Sequence, residues 1–137
     1  MKAVLRIVSV TALAVLAPAC GAQRQPLGPT SLDEGIVVYI HSGFRGSSQA
    51  IATDVPNLDK VEGPCAKGDG ETTTLSWDDC VSSIRVLPGW GATVYRDRDF
   101  KGAALELTAD SLDLSAASGS CSGSFNDCIS SLRVYRR

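Results

Sequence analysis

The chain has 137 residues, of which 13 are basic and 15 are acidic, and its formal net charge is −2. This length suits one domain with a short leader. The near balance of charges leaves no dense basic face of the kind that nucleic-acid binding requires. Arg136 and Arg137 end the chain, but two basic residues do not make a nucleic-acid-binding arm. Nucleic acid is therefore excluded as an expected partner.

Residues 1–19 have the pattern of an export signal. Two basic residues precede an apolar run at 7–17, which is too short to span a bilayer and fits a signal peptide. An ordinary signal peptidase could cleave after the small residues of 17–19. Alternatively, 16–21 resembles a bacterial lipobox, although its Leu lies one place further from Cys20 than usual. We expect either a cell-envelope lipoprotein, held to the membrane only through lipidated Cys20, or a secreted protein.

The rest of the chain is predicted to be a short tether and a β-rich domain. Residues 20–35 are rich in Pro, Gly and Gln and predict a flexible tether, which leaves a domain at 36–137. No sustained 3.6-residue apolar period occurs there. Short runs rich in Val, Ile, Leu and Tyr, bounded by Gly, Asp and Ser, predict an all-β sandwich with a small core. The predicted strands are Ile36–Ile40, Gln49–Ala52, Ser83–Leu87, Ala92–Arg96, Ala103–Leu107 and Ser131–Tyr135.

One short aromatic pattern occurs twice. The pattern is a Tyr, four intervening residues, a Phe, one intervening residue and a Gly. It occurs at Tyr39–Gly46 and at Tyr95–Gly102. Each copy predicts a β-hairpin whose final Gly adopts a positive φ. The aromatic rings are expected to pack on the hairpin rather than form a ligand cage. Val55–Leu58 and Asp110–Leu112 are predicted to be loops or single helical turns.

A second pattern also occurs twice. Trp77–Ser83 (WDDCVSS) and Phe125–Ser131 (FNDCISS) each lead into an aliphatic-Arg-Val strand. Oxygen-bearing side chains in this order suggest a pair of hard-cation sites, because calcium takes six to eight oxygen ligands. In an isolated copy the same residues could simply bond their own backbone in a turn. The two patterns together divide the domain into repeat 1, at about 36–88, and repeat 2, at about 92–135.

The five cysteines follow the repeat. Cys20 is the odd one, and lipidation would use it. The other four could pair in three ways. Their matching places in the two repeats favour Cys65 with Cys80 and Cys121 with Cys128, in an oxidising environment. A zinc site is the rival interpretation, but the spacings are not those of a zinc ribbon and the single histidine is distant in sequence.

The two patterns, in this order in both repeats, resemble the Greek-key motif of the βγ-crystallins. The second pattern resembles the calcium-binding signature of the microbial members of that family. The resemblance covers residues 36–135, nearly all of the predicted domain. It implies two four-stranded Greek-key motifs packed as a sandwich, with two calcium ions that each take ligands from both halves.

The resemblance also implies which residues bind the ions. One site would combine Asp79 with Ser130, and the other would combine Asp127 with Ser82. The second serine of each pair is expected to make a structural hydrogen bond. Because the first motif has one more carboxylate than the second, its site is expected to bind calcium more tightly. The expected donors are the side chains of Asp78, Asp79, Ser82, Asn126, Asp127 and Ser130, and backbone carbonyls among Ser42, Gly43, Arg98 and Asp99.

The sequence offers no candidate for catalysis. It lacks the context of a Ser or Cys nucleophile, a phosphate-binding loop and a marked pair of carboxylates, so we expect a protein that is not an enzyme. The expected function is that of an exported calcium-binding domain that stabilises an envelope or surface protein. Two alternatives are a secreted proteinase inhibitor of the same fold, acting through a disulfide-braced loop at Ala66–Ser76, and a structural domain with vestigial sites.

Overall fold

A computed structural model describes residues 33–67 and 74–137. The expected signal peptide at 1–19, Cys20, the tether up to residue 32 and the centre of the loop expected at Ala66–Ser76 lie outside the described residues. Within the described ranges, no helix has both the length and the apolar character needed to cross a membrane. The strands there are β1 (Ile36–His41), β2 (Arg45–Ile51), β3 (Glu62–Lys67), β4 (Thr74–Ser76), β5 (Ser83–Val86), β6 (Trp90–Asp97), β7 (Lys101–Leu107), β8 (Ser118–Cys121) and β9 (Ser131–Arg136).

Two antiparallel sheets of three strands each form the body of the domain. Their strand orders are β2-β1-β5 and β7-β6-β9, and β3 pairs with β4 in a separate ribbon. The two sheets are built alike, since each has a hairpin followed by a strand from the end of the same repeat. The pairing in both hairpins shifts between the Tyr and the second residue after it, at Tyr39/His41 and Tyr95/Asp97. This arrangement confirms the expected all-β fold of two Greek-key halves.

Each sheet is completed by a segment from the other half. Val55 of repeat 1 bridges Leu132 of β9, with N···O distances of 2.8 and 2.9 Å. Ser111 of repeat 2 bridges Ile84 of β5 with distances of 2.8 and 2.9 Å. The fourth strand expected in each motif is therefore present as a single bridge on the opposite sheet. This exchange makes the two halves one structural unit.

A short 3₁₀ turn follows each exchanged segment. The turns span Leu58–Lys60 and Leu114–Ala116. The first begins at the last residue of the predicted segment Val55–Leu58, and the second begins two residues after the predicted segment Asp110–Leu112. Their N-caps are Asn57 and Asp113, each accepting a hydrogen bond from the backbone N–H two residues later, at 3.0 and 2.9 Å. Caps of this kind satisfy N–H groups that have no partner within the turn. The two halves therefore correspond beyond the strands.

The hydrophobic core lies between the sheets and draws on both halves. Leu58 and Leu114 point into it from the two 3₁₀ turns and are fully buried. Trp77 and Phe125, the aromatic residues that open the two motif loops, are buried there as well. The core strands contribute Ile36, Val38, Ile84, Ala92, Val94 and Leu132.

Each hairpin combines a pair of inclined, contacting aromatic rings with a glycine of positive φ. The rings of Tyr39 and Phe44 lie 5.6 Å apart, and the equivalent pair in repeat 2 lies 5.8 Å apart. Gly46 and Gly102 both have a φ of 78°, which confirms the predicted positive φ. A Cβ on Gly46 would lie 2.7 Å from the side chain of Ile40, so this position excludes other residues for steric as well as conformational reasons.

One disulfide in each repeat ties the motif loop to an earlier strand of the same repeat. Cys65 in β3 pairs with Cys80, and Cys121 in β8 pairs with Cys128, with Cα–Cα distances of 6.2 and 5.9 Å. This is the pairing within repeats that the sequence favours. Both motif-loop cysteines are buried, so the bonds lie in the core side of the loops. The pairing leaves these four thiols unavailable to zinc.

Candidate metal centres

The second serine of each motif holds the adjacent hairpin in place. The Ser83 hydroxyl donates to the carbonyl of His41 at 2.6 Å and accepts from the amide of Phe44 at 3.1 Å. Ser131 makes the same two bonds to Asp97 and Phe100, at 2.6 and 3.0 Å. Both serines are fully buried. The structural role expected for them follows from these contacts.

Removal of either buried serine should destabilise the domain without removing a metal donor. Ser83→Ala would remove both hydrogen bonds from the partly buried His41 carbonyl and Phe44 amide, at a cost of about 1–2 kcal/mol, and Ser131→Ala should match it. Chemical denaturation in chelator measures the loss. Ser48→Ala, at an exposed position of β2, is the control, for which we expect less than about 0.5 kcal/mol. Equal stabilities for all three variants would contradict the structural role.

The two motif loops cross and bind each other's backbone. The amide of Asp79 donates to the carbonyl of Ile129, and the amide of Asp127 donates to the carbonyl of Val81, both at 3.1 Å. Both aspartates have a positive φ, 52° and 49°, a conformation that Asp tolerates better than most residues. The crossing brings the Asp127 carboxylate to the Ser82 hydroxyl, at 3.2 Å, and the Asp79 backbone to Ile129, the neighbour of Ser130 in sequence. This is the topology that the shared sites require.

One centre forms where the Asp127 loop meets Ser82. The Ser82 hydroxyl lies 2.9 Å from the Ile40 carbonyl and 3.2 Å from Oδ1 of Asp127. The side-chain amide of Asn126 donates a hydrogen bond from Nδ2 to Oδ2 of Asp127 at 2.7 Å. A hydroxyl, a carboxylate and a carbonyl from three separate segments therefore converge. All three are hard oxygen donors of the kind that calcium prefers, so the residues fit a calcium ion.

An open cavity of about 370 Å³ adjoins this centre. The hydrogen bonds that Asp113 accepts from the Ser115 side chain and backbone hold the pKa of that carboxyl below its ordinary value. Asp113 is therefore ionised at neutral pH. The cavity is lined by His41, Ser42, Arg45, Ser82, Asp113, Ser115 and Asn126.

The second centre has the same backbone frame but a different set of neighbours. The amide of Ser130 donates to the carbonyl of Tyr95 at 3.0 Å, just as Ser82 donates to Tyr39 at 2.9 Å. Ser130 is buried and Asp79 is exposed. Beside them, the guanidinium of Arg98 forms ion pairs with two carboxylates, those of Asp78 at 3.4 Å and Asp59 at 3.3 Å.

The structure adds one backbone oxygen to the hairpin carbonyls that the resemblance implies. The carbonyl of Ser42 accepts from Nε of Arg45 at 3.0 Å, and the carbonyl that faces Ser82 is that of Ile40, two residues earlier. The amides of Gly43 and Asp99 anchor their hairpins on the opposite half, at 2.7 and 2.8 Å. Sequence reasoning missed Ile40 because a backbone donor leaves no mark on residue type.

Across residues 33–67 and 74–137, no three His, Cys, Asp or Glu side chains cluster in a way that could hold a metal ion. A centre in this part of the chain therefore depends on hydroxyl, amide and backbone oxygens as well as on carboxylates.

Comparison with known proteins places the chain among Greek-key domains. No protein-family model matches it. It is 32% identical over 100 residues, or 72% of its length, to the epidermal differentiation-specific protein of Cynops pyrrhogaster, of which it spans only 23%. A solved βγ-crystallin domain from Flavobacterium johnsoniae is 26% identical, with a TM-score of 0.54, and covers 74% of this chain and 94% of its own. An archaeal βγ-crystallin is 24% identical, with a TM-score of 0.51, covering 72% and 94%.

Proposed function

The chain belongs to the βγ-crystallin superfamily, and from this premise we propose that it is an exported domain stabilised by two calcium ions. One observation carries the proposal. The Ser82 hydroxyl lies within 3.2 Å of both the Asp127 carboxylate and the Ile40 carbonyl, although the three residues come from distant segments of the chain. The domain would serve a protein of the bacterial envelope or surface.

The donor chemistry favours calcium over other common metals. The oxygens at the Asp127/Ser82 centre belong to a hydroxyl, a carboxylate and a backbone carbonyl. The centre opens onto the 370 Å³ cavity, which leaves room for water ligands. Calcium accepts such irregular oxygen shells, whereas magnesium demands near-octahedral geometry and zinc prefers nitrogen and sulfur. The second centre would combine Asp79 with Ser130 on the same frame.

Binding at these centres would stabilise the domain because each draws on both halves. Ser82 and Ile40 belong to repeat 1 and Asp127 to repeat 2, so the donors meet only in the folded chain. A ligand that binds only the native state adds RT ln(1 + [L]/Kd) to its stability, about 2.7 kcal/mol per site at a hundredfold excess over the dissociation constant. The disulfides beside Asp79 and Asp127 hold the loops and lower the cost of ordering them.

Two features support export. The disulfides at Cys65–Cys80 and Cys121–Cys128 are typical of proteins from oxidising compartments. The pattern of residues 1–19 agrees with this, with Cys20 as the site of a lipid anchor if the lipobox is used. Calcium at millimolar levels outside cells suits the weak affinities of extracellular calcium modules.

A thermal melt tests the proposal. With disulfides intact, excess calcium should raise the melting temperature by roughly 10 °C or more over chelator, since about 1 kcal/mol shifts it by 4–8 °C in a domain of this size. Asp127→Gly and Asp79→Gly remove one carboxylate each, and Gly accepts the positive φ at both positions. Each variant should lose one transition in a calorimetric calcium titration. Identical melting in calcium and chelator would contradict calcium binding and leave the two alternatives, a structural domain with vestigial sites and a proteinase inhibitor.

The proteinase-inhibitor alternative depends on the loop at Ala66–Ser76. Its central residues, 68–73, lie outside the described part of the chain, so this alternative stays a prediction of the sequence.

A further inference from the structure

The two repeats differ at three equivalent positions around the otherwise matching centres. Beside the Asp79/Ser130 centre these positions are occupied by ionised side chains, and beside the Asp127/Ser82 centre by neutral ones. The pairs are Arg98 with Ser42 on the hairpins, Asp78 with Asn126 in the motif loops, and Asp59 with Ser115 in the 3₁₀ turns.

The charged set forms a closed ion-pair group. The Arg98 guanidinium lies between the carboxylates of Asp78 and Asp59, at 3.4 and 3.3 Å. The Asp78 side chain is 2% exposed and that of Asp59 is 19% exposed, so these pairs are screened less than those at the surface. The protein thus supplies its own cation to the carboxylate that precedes Asp79.

The neutral set leaves the equivalent space open. Ser42, Ser115 and Asn126 line the 370 Å³ cavity beside Ser82. Three short side chains face solvent where the other repeat has an arginine bridging two acids. The cavity wall also includes Arg45, whose Nε donates to the backbone carbonyl of Ser42 at 3.0 Å in an exposed position, so solvent screens its charge.

Carboxylate count alone predicts tighter binding beside Asp78, but the ion pairs remove this advantage. Arg98 cancels one of the two charges of Asp78 and Asp59. At the other centre Asp113 takes the position of Asn57, and the exposed Arg45 of the cavity wall offsets its charge.

The two guanidinium groups differ in their setting. Arg45 bonds a backbone carbonyl in an exposed position, whereas Arg98 pairs with a carboxylate that is 2% exposed. Arg98 is therefore screened less, repels a divalent cation more strongly and holds Asp78 in another interaction.

We infer that Arg98 is a resident cation that weakens the Asp79/Ser130 calcium site and makes Asp127/Ser82 the tighter of the two. This inference rests on the proposed function. Although the two motifs are alike, the two centres would then bind calcium in sequence. The Asp127/Ser82 centre would fill first, and the Asp79/Ser130 centre would fill only at a higher calcium concentration.

Single-site variants allow each centre to be titrated alone by calorimetry. Asp79→Gly leaves the Asp127/Ser82 centre, and Asp127→Gly leaves the Asp79/Ser130 centre. We expect the first variant to bind calcium about tenfold more tightly than the second, the size of effect that one nearby charge produces at intermediate dielectric.

An exchange of the two hairpin residues should reverse this order. In the Asp127→Gly background, Arg98→Ser should raise the calcium affinity about tenfold, whereas Arg98→Lys, which keeps the charge, should not. In the Asp79→Gly background, Ser42→Arg should lower it by a similar factor. Arg96→Ser is the matched control, because Arg96 lies on the same hairpin but pairs with Asp97, and its effect should stay below about threefold.

The outcomes separate the inference from the proposed function. If calcium binds but Arg98→Ser acts no differently from Arg96→Ser, or if the Asp79/Ser130 centre is the tighter, the inference is wrong and the proposed function stands. If neither single-site variant binds calcium, with or without Arg98→Ser, both are wrong. Melting of each variant in chelator confirms that it is folded, and Arg98→Ser should melt no higher than its parent, since Asp78 loses an ion-pair partner.

Discussion

Replacing Leu132 by alanine is expected to lower the free energy of unfolding by about 2–5 kcal/mol, the range for large-to-small substitutions in a packed core. Leu132 is fully buried, and its backbone carries the bridge from Val55 of the other half. The cavity would therefore open where the two halves join. Against a total stability of about 5–15 kcal/mol, such a loss is large.

Denaturant unfolding in chelator measures this effect, with Leu112→Ala as control. The Leu112 side chain is 61% exposed, so its truncation should cost less than about 0.5 kcal/mol. Because each half completes the other's sheet, both proteins should unfold in one transition. Two separate transitions in the Leu132 variant would contradict the shared core, and a loss equal to that of the Leu112 variant would contradict the burial.

Removing either disulfide should destabilise the domain, and the longer loop should matter more. Cys65 and Cys80 are 15 residues apart and Cys121 and Cys128 are 7 apart. Loop-closure entropy then predicts a loss of about 3 kcal/mol for the first pair and about 2 kcal/mol for the second. Paired substitution to alanine avoids placing a new polar group at the buried positions of Cys80 and Cys128.

The same variants test the link between the disulfides and the metal centres. Each motif-loop cysteine directly follows the aspartate expected to bind calcium, so a freed loop should bind the ion more weakly. Calcium titration of the two double variants, at a temperature where both remain folded, checks this. An unchanged affinity in both would show that the loop crossing alone positions the aspartates.

Sequence reasoning finds the strands in which apolar and polar residues alternate and β-branched residues are frequent. β1, β5, β6 and β9 lie within a few residues of their predicted bounds. β3 and β8 were missed because EGPCAK and SGSC lack both alternation and aliphatic residues. Their extended form depends on tertiary contacts, including the disulfides at Cys65 and Cys121.

The contact between Ser82 and Asp127 is one that the βγ-crystallin resemblance implies, whereas the surroundings of the candidate centres are not visible in the sequence. The ion pairs of Arg98 could not be anticipated, since they depend on where a hairpin side chain points and on Asp59 in a distant turn. The Ile40 carbonyl is hidden for a related reason, because the bulge after Tyr39 decides which backbone oxygen turns inward.

The reciprocal crossing of the motif loops also bears on the order of synthesis. Asp127 meets Ser82, and the Asp79 amide meets the carbonyl of Ile129, so both contacts need the second motif loop. A nascent chain that has not yet reached Asp127 has all of repeat 1 and neither contact. The first repeat therefore cannot form a candidate centre by itself while it is being synthesised.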